Sequence, residues 1–218
     1  MTAAGPPPAG PPPGAEPLVV VGASWGGLHA VSTILRALPA ALPAALVVVQ
    51  HRGRDEPGLL AALLHEATPL AVCDVDDKEP IAPGRVYLAP PDYHLLVEEG
   101  HFSLATDGAV RYSRPSIDVT LVSAAEAYGR RVLAVICTGA NDDGARGARR
   151  VVDRGGAALV QDPATAEVRT MPDAAVARLR TAPAERWAVV PLAALGARIA
   201  AAVGAAAGVA YGVAGRLT

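Results

Sequence analysis

The feature that most constrains this chain is a series of short β-branched runs separated by stretches with helical spacing. Leu18-Val19-Val20-Val21 comes first, then an amphipathic stretch with Leu28, Val31, Leu35 and Leu38 on one face, then Leu46-Val47-Val48-Val49-Gln50. Further apolar runs occupy residues 70–75, 85–89, 132–137, 157–161 and 187–190. A continuous apolar run leaves no face for water, so each such strand must be covered on both sides. Strands of this kind alternating with helices predict a doubly wound α/β fold with a mostly parallel sheet. Between residues 85 and 112 the runs are shorter and closer together (His94–Val97, Phe102–Ala105) and punctuated by Gly100 and Gly108, which predicts a small antiparallel hairpin region attached to that sheet.

Composition narrows the function classes. The chain has 218 residues, of which 51% are hydrophobic and 18% charged, a balance that excludes disorder and allows a sizeable core. Nineteen basic residues face 21 acidic ones, so there is no broad phosphate-binding footprint and nucleic acid is excluded as a partner. Cys73 and Cys137 each sit inside an apolar run, which argues against a disulfide framework and for a reducing, cytoplasmic setting. Their separation of 64 positions, with no ligand-like histidine spacing, implies no metal.

The ends read differently from the middle. Residues 1–17 contain seven prolines and no basic residue or apolar run, so they are expected to form a disordered, extended arm and not a secretory signal. From Ile199 to Gly215 the chain carries no charge, with Gly204, Gly208 and Gly212 at four-residue spacing. Such spacing can seat one membrane helix against another, but alanine and glycine contribute little transfer energy and the run is short. A terminal helix with an Ala/Gly-rich tail over residues 206–218, without stable membrane insertion, is the expectation.

Chemistry concentrates at strand ends. The first run ends in Gly22-Ala23-Ser24-Trp25-Gly26-Gly27. A dinucleotide fingerprint would need glycine at position 24, so that pattern fails. A phosphate cradle at the helix start, an ordinary turn with a capping serine, and a nucleophile elbow of the form G-x-S-x-G all remain. A serine hydroxyl attacks only when a base takes its proton. All five histidines, 29, 51, 65, 94 and 101, lie in the first half of the chain, and only His51 directly follows a strand. The 132–137 run leads into Thr138-Gly139-Ala140-Asn141-Asp142-Asp143-Gly144 and places an acidic pair at another strand end. In open α/β sheets, ligands bind outside the carboxyl ends of the strands. Ser24, His51 and one of Asp142 or Asp143 therefore project to one edge, and the chain order of such a set is free.

Taken in order, these segments resemble the catalytic domain of the chemotaxis protein-glutamate methylesterases, the CheB family. The likeness runs from Leu18 to about Ala177. It is carried by Gly22-Ala23-Ser24-Trp25-Gly26-Gly27, Val49-Gln50-His51, Ile81-Ala82-Pro83-Gly84, and Leu88-Ala89-Pro90-Pro91-Asp92-Tyr93-His94. It continues through Arg114-Pro115-Ser116-Ile117-Asp118, Thr138-Gly139 with Asp143-Gly144, Gln161-Asp162 and Met171-Pro172. Where the family usually has Gly-Met-Gly, this chain has Gly139-Ala140-Asn141.

The resemblance implies a serine esterase that removes methyl esters from glutamates of chemoreceptor cytoplasmic helices, with glutamine deamidation as a related activity. It implies Ser24 as nucleophile, His51 as general base and Asp143 as the residue orienting it. Backbone amides of Trp25 and Ala140 would form the oxyanion hole, and Arg114, Pro115 and Ser116 are the substrate-binding candidates. No cofactor is implied. Residues 18–205 would be the catalytic domain, free-standing without a receiver domain, and a separate receiver protein in trans is a candidate partner. The alternatives are an esterase acting on another methylated protein and a non-catalytic domain that binds a helical partner.

Overall fold

A computed structural model describes residues 16–52 and 58–206. The arm expected over 1–17 and the tail expected over 206–218 therefore fall, apart from their innermost residues, outside the described residues.

Seven strands form one parallel sheet in the order β3-β4-β2-β1-β7-β8-β9. They are β1 (Leu18–Ala23), β2 (Ala45–Gln50), β3 (Ala71–Asp74), β4 (Arg85–Leu88), β7 (Val132–Ile136), β8 (Ala157–Gln161) and β9 (Trp187–Val190). Every pairing in this sheet is parallel. The apolar runs explain why. Along β1, Leu18 and Val20 enter one core while Val19, Val21 and Ala23 enter the other, so the strand is buried on both faces. Helices α1 (Gly27–Arg36) and α6 (Leu192–Ala206) cover one face; α3 (Ile117–Tyr128), α4 (Ala145–Asp153) and α5 (Thr170–Leu179) cover the other. The short α2 (Leu59–His65) sits beside β3. On α1 the buried face is Ala30, Val31, Ile34 and Leu35; Leu28 belongs to the exposed side, not to the core-facing stripe expected for it.

The 85–89 run and the hairpin region separate as expected. Arg85–Leu88 is a strand of the main sheet, hydrogen-bonded in parallel to β2 and β3. Only β5 (His94–Glu98) and β6 (His101–Ala105) form the antiparallel hairpin, and they make a sheet of their own. That hairpin is held by packing: Phe102 stacks edge-on against Tyr87 at 4.9 Å between ring centres, and Thr120 of α3 donates to the Leu95 carbonyl at 2.8 Å. A hairpin needs such cover to be stable.

One packing feature sets up everything that follows. Ile117, the first residue of α3, is fully buried against Gly22 of β1 and Gly144 at the start of α4. A Cβ at Gly22 would lie 2.4 Å from the Ile117 side chain, and one at Gly144 2.7 Å from it. Gly144 also has a φ of 92°, a conformation that L side chains rarely adopt. The N-terminus of α3 can therefore press against the carboxyl edge of the sheet. Among the described residues, no helix is long and apolar enough to cross a membrane.

Candidate active site

Strand order reverses beside β1: β2 lies on one side, β7 on the other. Crevices at such a reversal are where open α/β sheets bind ligands. Register carries past the strand ends. Ala23 pairs with Gln50, the His51 amide donates to the Ala23 carbonyl at 3.0 Å, and the Ser24 amide donates to the Thr138 carbonyl at 3.0 Å. Ser24 and His51 thus leave the sheet at the same height, with the β7–α4 loop alongside.

Asp143 is the most constrained residue of the site. Its side chain is fully buried, and Oδ2 meets His51 Nε2 at 2.9 Å. Oδ2 also accepts from the Ile117 amide at 2.8 Å; Oδ1 accepts from the Asp118 amide at 2.9 Å and the Ser116 hydroxyl at 3.0 Å. Burial pushes the Asp143 carboxyl up, but the bond from His51 and the amides of Asp118 and Ile117 outweigh it and hold the group below the ordinary carboxylate value. A carboxylate so fixed accepts from Nε2–H, leaving Nδ1 as the imidazole nitrogen able to take a proton. Ser113 Oγ lies 3.3 Å from Nδ1. The Ser24 hydroxyl, half-exposed, has no partner among the described residues and bonds to neither His51 nor Asp143.

The two acids of the loop have separate roles. Asp142 is half-exposed and forms an ion pair with Arg111. Asp143 alone faces His51.

Around Ser24 the turn is tightly braced. Gln50 Nε2 donates to the Ser24 carbonyl at 2.8 Å and to the His51 carbonyl at 3.0 Å. The Thr138 hydroxyl donates to the Trp25 carbonyl at 2.9 Å, and Gln161 Oε1 accepts from the Thr138 amide at 2.8 Å. The absence of a side chain at Gly139 lets this loop reach the serine, since a Cβ there would lie 2.9 Å from Ser24 Cβ. Neither the Trp25 amide nor the Ala140 amide meets an acceptor among the described residues. The Trp25 side chain is 68% exposed and its indole N–H donates to Glu167 at 2.9 Å.

The three substrate-binding candidates part company. Arg114 and Pro115 line a cavity of about 530 Å³ together with His51, Arg52, Asp92 and Ser113. Arg114 is also tied to Asp92 at 2.6 Å and to the Thr106 carbonyl at 2.8 Å. Ser116 corrects the expectation. It is fully buried, caps α3 by accepting from the Val119 amide, and donates to Asp143, so it touches the acid and not a substrate.

Three contributors to the site have no role assigned from the sequence. Asp118, buried beside Asp143, accepts from the Gly144 and Gly147 amides at 3.0 and 2.7 Å; burial chiefly, with the neighbouring Asp143 charge, raises its carboxyl above the ordinary value. His94 accepts from the Ser116 amide at 3.2 Å and faces the Gly108 carbonyl at 3.1 Å, which fixes the start of α3. Ser113 is the third. Cys137, fully buried, has its thiol pushed up to about 12 by desolvation and stays an inert part of the core. Among the described residues, no cluster of three or more His, Cys, Asp or Glu is placed to hold a metal ion.

Comparison with known proteins agrees with this architecture. The family model described as CheB methylesterase matches residues 19–199. A Leptospira interrogans protein that carries the methylesterase/glutaminase name is 43% identical over 159 residues, covering 72% of this chain and 82% of the relative. The protein-glutamate methylesterase FrzG of Myxococcus xanthus is 42% identical over 184 residues, 84% of this chain but only 54% of its own length. The crystal structure of the Thermotoga maritima CheB methylesterase catalytic domain superposes with a TM-score of 0.79 at 33% identity, covering 86% of this chain and 98% of that one. The chain belongs to the CheB methylesterase family.

Proposed function

We propose that this chain hydrolyses glutamyl γ-methyl esters on the cytoplasmic helices of chemoreceptors through Ser24, His51 and Asp143. The observation that supports the reading is the buried Asp143 carboxylate bonded to His51 Nε2, which leaves Nδ1 as the nitrogen to act as base for the Ser24 hydroxyl, a group with no partner among the described residues. In the first half-reaction Ser24 Oγ attacks the ester carbonyl and its proton passes to His51 Nδ1. The Trp25 and Ala140 amides, without an acceptor among the described residues, are suited to the oxyanion. Collapse of the tetrahedral adduct breaks the bond to the methoxy oxygen, which takes the proton from Nδ1 and leaves as methanol. In the second half-reaction water gives a proton to Nδ1 as it attacks the acyl-enzyme; the carboxylate is released and Ser24 recovers its proton. The same acyl chemistry would release ammonia from a glutamine side chain, in keeping with the double name of several relatives.

For proton transfer the Ser24 hydroxyl must reach Nδ1, the position that Ser113 Oγ approaches at rest. A chemoreceptor substrate and a cytoplasmic setting fit a domain of this family. A separate receiver protein in trans is a further partner within this reading: acetyl phosphate should then stimulate turnover only when such a protein is added. The direct test is methanol release from a methylated receptor fragment. Ser24→Ala should abolish it with the fold intact, and wild-type turnover in that variant would reject the mechanism.

A further inference from the structure

Residues 110–113 form a two-residue hairpin loop. The Val110 amide donates to the Ser113 carbonyl at 3.1 Å and the Ser113 amide returns the bond to Val110 at 2.9 Å. Both central residues are left-handed, Arg111 with a φ of 50° and Tyr112 with a φ of 64°. Turns of this type favour Asn-Gly, because a bulky side chain at positive φ crowds its own backbone. Tyr112 adds a second cost: its ring stands wholly in solvent, at 103% exposure. The ion pair of Arg111 with Asp142 is half-exposed, where such pairs contribute little. Among the described residues nothing offsets this strained, exposed aromatic, and backbone outliers that persist without a structural return cluster at functional sites.

The position of the loop indicates what it serves. Ser113, the next residue, reaches His51, and Tyr112 lines the same cavity as His51. Beside the serine stands Trp25, also exposed. An ester attacked by Ser24 with His51 as base has Trp25 as the chain neighbour of its nucleophile and Tyr112 in the cavity of its base. When the ester sits at the tip of a glutamate on a helix, the body of that helix must cross the rim where they stand. Arg52, Arg114 and Arg111 are already paired with Asp74, Asp92 and Asp142, so what the rim offers a docked helix is chiefly the exposed aromatic ring. Exposed aromatic and arginine side chains are also the types that dominate protein docking.

We propose that the Arg111-Tyr112 turn is a docking finger for the helix that presents the ester, with the Tyr112 ring packing on side chains next to the modified glutamate. This rests on the reading of Ser24 and His51 as the reacting pair.

The test compares three readouts on the full chain. They are melting temperature, the rate of fluorophosphonate labelling at Ser24, and turnover of a helical peptide bearing one glutamyl γ-methyl ester. Replacing the pair by Asn-Gly (Arg111→Asn with Tyr112→Gly) relieves the backbone and should raise the melting temperature by a few degrees. It should leave labelling within about twofold and raise KM for the peptide about tenfold or more, with little change in kcat. Tyr112→Ala, which keeps Arg111, should raise KM in the same direction. An unchanged KM in either variant overturns the inference, and so does a fall in kcat alone. Failure of the wild-type chain to label at Ser24 is a separate result, and it rejects the nucleophile assignment on which the inference stands.

Discussion

Two kinds of turn meet at this site, and they obey different rules. The turns after β1 and β7 put glycine where the backbone is left-handed: Gly26 has a φ of 75° and Gly144 a φ of 92°. Their shape follows from local sequence, and they deliver Ser24 and Asp143 to the sheet edge. The excursion from 106 to 118 puts Arg111 and Tyr112 at positive φ and supplies Ser113, Ser116 and Asp118. Apart from the Ser116 cap of α3 the stretch follows no local turn rule, yet it provides most of what holds Asp143 in place. The sheet positions the reacting groups, while the excursion sets their electrostatics.

If that division is right, the largest effect should come from the residue where the two regions meet. Asp143→Asn keeps the shape of the side chain but leaves the imidazole in the wrong tautomer; in serine proteases that loss is on the order of 10⁴ in turnover. Methanol release should fall by a comparable factor. A loss below about tenfold would mean that His51 is oriented by something other than the buried carboxylate.

Ser116→Ala probes the excursion without touching a reacting atom. It removes the hydroxyl that donates to Asp143 and caps α3. A bond to a charged group contributes about 1.5–3 kcal/mol. If that bond acts mainly in the transition state, kcat should drop about ten- to a hundredfold, with measurable activity remaining. Full activity would show that the amides of Ile117 and Asp118 suffice. Asp142→Asn should stay within about tenfold of wild type, since its side chain faces Arg111 at the surface. A reversed ranking of Asp142 and Asp143 would break the comparison outright.

The electrostatic side predicts a pH signature of stability. The Asp143 carboxyl is held below its ordinary value of 3.8, so it binds fewer protons folded than unfolded. Its contribution is present above about pH 3.8 and lost as pH falls through the folded value. The stability gap between wild type and Asp143→Asn, measured by urea unfolding, should therefore be widest near neutrality and narrow below that pH. Asp118 carries the opposite sign, because burial raises its carboxyl and makes its charge costly. A gap that widens in acid would contradict the assignment.

Much of this was legible in the sequence, and the rest was not for definable reasons. Continuous valine-rich runs announce buried parallel strands, so β1, β2, β7, β8 and β9 and the edge they share could be read directly. The 85–89 run could be read as one of the sheet's strands, but its place between β2 and β3 could not, because pairing between strands is a non-local property that run length does not encode. Read from sequence, Ser116 groups with Arg114 and Pro115 as a substrate contact; only the approach of Ile117 to Gly22 and Gly144 reveals that it is buried. Asp118 and Ser113 had no readable role, since each acts through a residue about 25 or 60 positions away. The resemblance to the family supplied the choice between Asp142 and Asp143, which spacing alone left open.

The central claim is that Ser24, and no other serine near His51, attacks the ester. The measurement that tests it most directly is fluorophosphonate labelling of the wild-type chain, followed by peptide mass mapping. The account predicts one adduct on Ser24 that is lost in His51→Ala. An adduct on Ser113, whose hydroxyl lies 3.3 Å from the base nitrogen, would contradict it.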